Sequence, residues 1–128
     1  MRTVRLANLV TATSGGIRTT LAALRAADVA AGRDVVEIVP GATGGEVALP
    51  GGGVRRTLPG VPLPGGAGYR LLVDRGAVRA ALTAARPDRI EIHDRFTLSW
   101  VASWARARDL PATVVVHERL VGTLSAWA

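Results

Sequence analysis

The clearest indication of the fold class is the segment TVRLANLVTATSGGIRTTLAALRAADVAAGRDVVEIVPG, residues 3–41. It opens with an apolar, strand-like run over residues 3–10 and continues into a turn over residues 11–16. The turn is rich in Thr, Ser and Gly, which are residues that favour the amino termini of helices. It therefore predicts a helix directly after it.

The helix and the second strand of this stretch follow from residue spacing. Ile17, Leu21 and Leu24 recur at intervals of four and three residues, and Gly32 supplies a carboxyl-terminal stop. Residues 35–39 then form a second apolar run, which a Pro-Gly pair ends. A strand, a helix and a strand in this order make a βαβ unit, from which parallel sheets are built.

The rest of the chain repeats this alternation after a Gly- and Pro-rich segment. That segment, residues 41–68, is predicted to be a mobile loop around one short strand at 54–58, and it is either functional or a tolerated surface insertion. Trp100 and Trp104 are expected to serve packing rather than binding. The remaining predicted elements are a helix from residue 75 up to the proline at 87, a strand at 89–93, a helix from residue 97, a doubly buried strand at 112–116 and the start of a helix at 120–128.

This order of elements predicts a single α/β domain over residues 1–128, a Rossmann-like doubly wound parallel sheet with the strand order 3-2-1-4-5. In such sheets ligands bind beyond the carboxyl ends of the strands, at the crevice where the strand order reverses. The residues that follow the strands are therefore the candidate site. They include Gly15, Gly16, Arg18, His93, Asp94, Arg95, His117 and Glu118.

Composition narrows the class of protein. The 128 residues contain no Cys, which excludes disulfides, cysteine nucleophiles and thiolate metal sites. All 16 basic residues are Arg and the net charge is +6, but the arginines are scattered and only 4% of the residues are aromatic. This pattern favours a codon bias over nucleic-acid binding, so no nucleic-acid partner is predicted. No signal segment or membrane span is visible, and a cytoplasmic location is expected.

The glycine pair and the two histidines each allow two interpretations. Gly15 and Gly16 would let helix N–H groups approach a phosphate, with Arg18 binding the same anion, or they form a tight turn beside a solvated arginine. His93 and His117 would carry protons or bind a sugar hydroxyl, or they are half-buried and satisfied locally. No compact metal-ligand motif or serine nucleophile elbow is present, and no metal is predicted.

Four segments then occur in order: SGGIRTTL at 14–21, AGRDVV at 31–36, RPDRIEIHD at 86–94 and PATVVVHE at 111–118. Together they resemble the N-terminal domain of retaining glycosyltransferases of family four, especially actinobacterial mannosyltransferase-like members. The resemblance implies one half of a GT-B fold, in which two Rossmann-like domains face each other across a cleft. The C-terminal domain, which holds most of the nucleotide sugar in that family, lies outside these 128 residues. The chain alone is therefore expected to be inactive or nearly so.

The resemblance also implies roles for the candidate residues. Gly15 and Gly16, helped by Arg18, take the diphosphate of the donor, and His117 is the catalytic group that faces the sugar. Position suggests an acceptor-binding set, made up of His93, Asp94, Arg95, Tyr69, Arg70 and Glu118.

The implied reaction moves a hexose, with mannose suggested by the resemblance, from a nucleotide diphosphate sugar to a lipid or small-molecule acceptor. No cofactor is expected besides this donor substrate, and peripheral contact with the inner face of the membrane is an added expectation. Two alternatives stay open at this point. One is a flavodoxin-like or regulatory module that binds a phosphate-bearing ligand without chemistry, and the other is a structural remnant.

Overall fold

The computed structural model describes residues 1–10, 16–64, 68–94 and 96–115. Strands and helices alternate through them. In chain order the elements are β1 (Arg2–Ala7), α1 (Gly16–Ala30), β2 (Asp34–Gly41), β3 (Gly45–Ala48), β4 (Val54–Pro59), β5 (Val61–Pro62), β6 (Arg70–Leu71), α2 (Arg75–Ala85), β7 (Arg89–His93), α3 (Trp100–Arg106) and β8 (Ala112–Val114).

The main sheet has the strand order β3-β4-β2-β1-β7-β8. From β4 to β8 all neighbours pair in parallel, so the five predicted strands occur in the predicted order 3-2-1-4-5. β3 adds an antiparallel strand at the outer edge of β4. The predicted α/β class with a mostly parallel sheet is confirmed.

The Gly- and Pro-rich segment contains more regular structure than predicted. Besides the expected strand β4, it forms β3 and β5, and β5 pairs with β6 in a separate two-stranded sheet. Three consecutive glycines, Gly51, Gly52 and Gly53, have φ values of 83°, 125° and 88° and make the turn between β3 and β4. Because only glycine adopts such a run of positive φ readily, the residues that suggested a loop are those that build a hairpin.

The two faces of the main sheet differ in chemistry. One face carries the apolar core, where Val4, Leu6 and Ile92 pack against α2 and α3. Trp100 and Trp104 pack against this core, as predicted, and arginines stack on both indoles. The other face lies under α1, which buries only Leu21 and Asp28.

Element ends depart from the predictions in three places. β1 ends at Ala7 rather than residue 10, because Leu9 takes a positive φ of 61° and the chain leaves the extended conformation. α3 begins at Trp100 instead of residue 97. The prediction of a doubly buried strand at 112–116 is wrong for β8, since all three of its residues are exposed at the sheet edge. Of the predicted turn at 11–16, only Gly16 is described and it begins α1; residues 11–15 and the predicted helix at 120–128 lie outside the described residues.

Candidate functional site

The carboxyl edge of the sheet is organised around Asn8, the residue after β1. Its side-chain amide donates to Oγ1 of Thr97 at 2.9 Å, and its carbonyl oxygen accepts from the backbone N–H of Leu72 at 2.7 Å. Asn8 is only 1% exposed, so both bonds are shielded from water. The side chain thereby joins the end of β1 to the segment after β6 and to the segment between β7 and α3.

The amino terminus of α1 lies at this same edge, because the helix follows β1 in a parallel βαβ unit. Gly16 is the first residue of α1, and Arg18 is exposed in its first turn. The first N–H groups of a helix have no partner within the helix and favour an anion. Gly16 and Arg18 therefore occupy the position that the diphosphate prediction requires. Gly15 lies outside the described residues, and the role of all three stays a prediction.

His93 and Asp94 reach the predicted edge, but both are engaged within the chain. His93 ends β7 beside Ala7, and its buried Nε2 lies 3.1 Å from Oε2 of Glu91. Oδ2 of Asp94 accepts from the backbone N–H groups of Phe96 at 2.8 Å and of Leu98 at 3.0 Å. Asp94 thus shapes the turn that leads into α3. Acceptor binding by either residue remains a prediction, and Arg95, His117 and Glu118 lie outside the described residues.

Tyr69 and Arg70 are brought to the end of β1 by backbone pairing. The carbonyl oxygen of Arg70 accepts from the N–H of Leu9 at 3.2 Å, and its guanidinium donates to the carbonyl oxygen of Gly60 at 2.7 Å. This segment therefore shares an edge with Asn8 and His93. Its part in acceptor binding is untested.

The two-stranded sheet at this edge has an apolar outer face. Val61 pairs with Leu71, and the N–H of Leu63 bonds to the carbonyl oxygen of Tyr69, so these four side chains share one side. We call them the apolar ribbon face. Val61 is 49% exposed and Leu63 is 38% exposed. Leu72, the residue after β6, is buried.

A row of charged residues crosses the face of the main sheet beneath α1. Arg55, Glu37, Arg5 and Glu91 lie directly opposite one another on β4, β2, β1 and β7, so their charges alternate. We call these four residues the charge row. Glu37 accepts from Arg55 Nη2 at 2.8 Å, and Glu91 accepts from Arg5 Nε at 2.6 Å.

α1 completes this network with two side chains. Arg25 donates to Oε2 of Glu37 at 2.9 Å. Asp28, 2% exposed, pairs with Arg5 and with Nε of Arg33, the latter at 2.8 Å. The helix is therefore fixed to the sheet by buried ion pairs as well as by Leu21.

The ionisation of the network follows from these contacts. The hydrogen bond from His93, followed by that from Arg5, lowers the pKa of Glu91 to about 2 although burial acts to raise it. Burial alone would lower the pKa of Arg5, but its hydrogen bonds to Glu91 and Asp28 raise it above its ordinary value. Both groups are charged at neutral pH.

Reasoning from sequence missed the charge row and Asn8. A signal was present, because Arg5, Glu37 and Glu91 are single charges in the middle of apolar strand sequences. Such residues on a strand covered by a helix need buried partners. In the described ranges, no three His, Asp or Glu side chains cluster closely enough to hold a metal ion. Nor does any helix there have the length and apolar character to span a membrane.

The chain is similar to known glycosyltransferases over most of its length. Residues 15–128 match the model of the Glycosyl transferase 4-like domain. The chain is 42% identical, over 120 residues, to a GDP-mannose-dependent alpha-(1-6)-phosphatidylinositol dimannoside mannosyltransferase of Mycobacterium tuberculosis, found in strains H37Ra and CDC 1551. The match covers 94% of this chain and 31% of each relative. No solved structure matches the chain. The chain belongs to the family of glycosyl transferase 4-like domains.

Proposed function

We propose that this chain is the acceptor-side domain of a GT-B enzyme that moves mannose from a nucleotide diphosphate sugar to a lipid acceptor, with retention at the anomeric carbon. The mycobacterial relatives, named as GDP-mannose-dependent enzymes acting on a phosphatidylinositol dimannoside, support this choice of substrates. In the reaction the acceptor oxygen bonds to the anomeric carbon, and the bond from that carbon to the diphosphate breaks. The hydroxyl proton leaves with the nucleoside diphosphate.

The donor diphosphate binds at the amino terminus of α1. Negative charge develops on the leaving diphosphate, and helix N–H groups together with a guanidinium stabilise it without reorganisation. Gly15 and Gly16 supply the close approach, and Arg18 supplies the guanidinium. The single observation that carries this proposal is that Gly16 begins α1 at the carboxyl edge, beside the end of β1. His117 is the group proposed to position the sugar.

The acceptor binds across the other part of this edge. His93, Asp94, Arg95, Tyr69, Arg70 and Glu118 form its polar surroundings. The apolar ribbon face, which includes Tyr69, lies at the same edge as Arg70, and it suits the acyl part of a lipid and the inner surface of a membrane. Exposed Val61 and Leu63 would lose contact with water there, which is favourable by about 1 kcal/mol each.

A glycine substitution in the complete protein tests the donor site. Gly16→Val places a branched side chain where the diphosphate approaches, and it is expected to lower kcat/KM for mannose transfer about 100-fold or more. Gly45→Val is the matched control, because a Cβ at this exposed strand position meets no atom within 4 Å. Full turnover by Gly16→Val would remove the diphosphate site. Binding of nucleotide sugar without transfer or hydrolysis by the complete wild-type protein would favour the non-catalytic module.

Vesicle binding tests the lipid surface separately. Flotation of the complete protein with vesicles of phosphatidylinositol and phosphatidylcholine is expected to fall about 5-fold for each of Val61→Ser and Leu63→Ser. Val47→Ser is the control, since Val47 is 56% exposed on β3 at the far edge of the main sheet. Equal loss in all three variants, or loss in none, would contradict membrane contact through the apolar ribbon face.

A further inference from the structure

Arg70 differs from the other arginines because it is partly buried and forms no ion pair with a carboxylate of the described residues. Every other buried or partly buried arginine that the structure describes does form such a pair. These arginines are Arg2, Arg5, Arg25, Arg33, Arg55 and Arg89. Removing a charge from water is costly unless an opposite charge compensates for it. The described part of the chain therefore leaves the positive charge of Arg70 uncompensated.

The side chain of Arg70 is nevertheless held in one place. Its Nη1 donates to the carbonyl oxygen of Gly60 at 2.7 Å, and the N–H of Gly60 donates at 2.9 Å to Gly41, the last residue of β2. The backbone of Arg70 is fixed as well, because its carbonyl oxygen accepts from the N–H of Leu9, just after β1. The guanidinium thus lies beside the carboxyl ends of β1 and β2.

Gly60 is the residue that allows this close contact. A Cβ at this position would lie 2.6 Å from Cβ of Pro40 and 3.2 Å from Cβ of Arg70, so any side chain here would push Arg70 away. On the other side of Arg70, the N–H of Leu72 is held by the buried amide of Asn8. A guanidinium whose segment is fixed at both ends loses little conformational freedom when it binds a ligand.

The bond to Gly60 leaves one edge of the guanidinium available. Nε and Nη2 form that edge, and their N–H groups point in the same direction. Neither nitrogen is among the buried polar atoms of the described residues that lack a partner, so both are accessible to solvent or to a ligand. Arg70 alternates with Tyr69 and Leu71 along the chain, which puts it on the side of the two-stranded sheet opposite the apolar ribbon face. This small sheet thus presents a cation on one side and an apolar surface on the other.

We infer that Arg70 binds the phosphate of a phosphate-bearing glycosyl acceptor and thereby selects this acceptor over the same compound without phosphate. The inference rests on the proposed function, because it assigns one group of the acceptor to one residue of the acceptor site. The planar edge of a guanidinium matches two oxygens of a phosphate, and such charge-assisted bonds are stronger than bonds between neutral groups. The diphosphate of the donor is assigned separately to the amino terminus of α1.

Two water-soluble acceptors test this inference with the complete protein. One is a dimannosyl inositol phosphate, and the other is the same compound with the phosphate removed. The wild-type KM is expected to be about 10-fold or more lower for the phosphate-bearing compound. Because this comparison needs no substitution, it does not depend on how any variant folds.

Substitutions then assign the preference to Arg70. Arg70→Gln keeps an amide N–H for Gly60 but removes the charge, so the ratio of the two KM values is expected to fall to about 2 or less. Arg70→Lys keeps the charge without the planar edge, and an intermediate ratio is expected. Arg56→Gln is the matched control, because it removes the same charge from an exposed position in the middle of β4. Its ratio is expected to equal that of the wild type.

Two further measurements separate acceptor binding from donor binding and from turnover. The KM for the nucleotide sugar is expected to stay within about 2-fold of the wild-type value in all three variants. Calorimetric titration of the complete protein with the dimannosyl inositol phosphate is expected to give a Kd about 10-fold or more higher for Arg70→Gln than for the wild type. If Arg70→Gln does not fold, Arg70→Lys is measured in its place, and a wild-type KM ratio together with a wild-type Kd would overturn the inference.

The outcomes distinguish this inference from the proposed function. Equal KM values of the two acceptors in the wild type, or an unchanged ratio in Arg70→Gln, would overturn the phosphate site and leave the transferase function standing. An equal fall of the ratio in Arg56→Gln would overturn it too, since net charge would then be the cause. A raised KM for the nucleotide sugar in Arg70→Gln would assign Arg70 to the donor instead. If the wild type binds the phosphate-bearing compound through Arg70 but transfers no sugar, the transferase function fails while the phosphate site stands.

Discussion

Replacing Arg5 by methionine is the sharpest test of how this fold is held together. Methionine keeps a flexible, unbranched apolar stem, although a shorter one, and removes the charge and the donors of the side chain. Asp28, 2% exposed, would keep its 2.8 Å bond to Arg33, and Glu91 would keep its contact with His93. Each carboxylate would lose its buried partner on β1. Breaking a buried pair from one side costs about 3–5 kcal/mol, because the remaining charge stays buried and loses its partner.

This cost is large against the total stability of a domain, which is about 5–15 kcal/mol. With a urea m-value of about 2 kcal/mol/M for a chain of this size, the midpoint of unfolding is expected to fall by about 2 M. Hydrogen exchange of the β1 and β7 peptides at increasing urea concentration measures the change in the complete protein. Arg5→Lys keeps the charge but loses the forked geometry, so its effect is expected to be intermediate.

Arg56→Met is the matched control for this measurement. Arg56 lies on β4 next to a member of the charge row, but it is exposed. Its substitution is expected to change the free energy of unfolding by less than about 0.5 kcal/mol. A loss of less than about 1 kcal/mol in Arg5→Met, or a loss no larger than that of the control, would show that the Arg5 ion pairs contribute little to stability.

Three further predictions concern single contacts. Because the pKa of Glu91 is lowered from 4.5 to about 2, its contribution to the free energy of unfolding is complete above pH 4.5 and is lost as the pH falls through 2. Acid unfolding of the wild type should therefore show a loss of about 3 kcal/mol that Glu91→Gln lacks. Parallel curves for the two proteins would contradict this prediction. Asp94→Ala leaves the N–H groups of Phe96 and Leu98 without their acceptor and should cost about 1–2 kcal/mol in urea unfolding, with Asp94→Asn recovering most of it. Gly60→Ala would place a Cβ 2.6 Å from Cβ of Pro40, and urea unfolding should show a free energy of unfolding lowered by about 1–3 kcal/mol. An unchanged free energy of unfolding would show that the two-stranded sheet shifts without cost.

The sequence predicted the five parallel strands, the three helices of the described residues and their order, because those depend on periodicity. Alternation and helical spacing are local properties, and a parallel sheet built from βαβ units has few possible orders. The edge on which Gly16, His93 and Asp94 lie was predictable for the same reason, since each follows or ends a predicted strand or turn.

The contacts of the candidate site were not predictable in the same way. His93 contacts Glu91, which accepts a hydrogen bond from Arg5, a residue 86 positions away in the chain. In the sequence, Arg5 interrupts an apolar run. Only the pairing of the strands shows that it belongs to the charge row. The apolar ribbon face was hidden because its Gly- and Pro-rich sequence reads as a loop, while the pairing of Val61 with Leu71 spans residues that local patterns do not connect.

The charge row also bears on how far this domain can be redesigned. Val4, Leu6, Val36 and Ile38 are similar in size, so sliding β2 along β1 by two residues would still match apolar side chains with apolar side chains. The same slide would set Arg5 opposite a valine and leave Glu37 with no arginine opposite it on β1. Alignment is therefore encoded by a few ionic positions rather than by the shapes of the aliphatic ones. A library that randomises the aliphatic residues among Val, Ile and Leu should retain correctly assembled members in large numbers, as long as these four positions are kept.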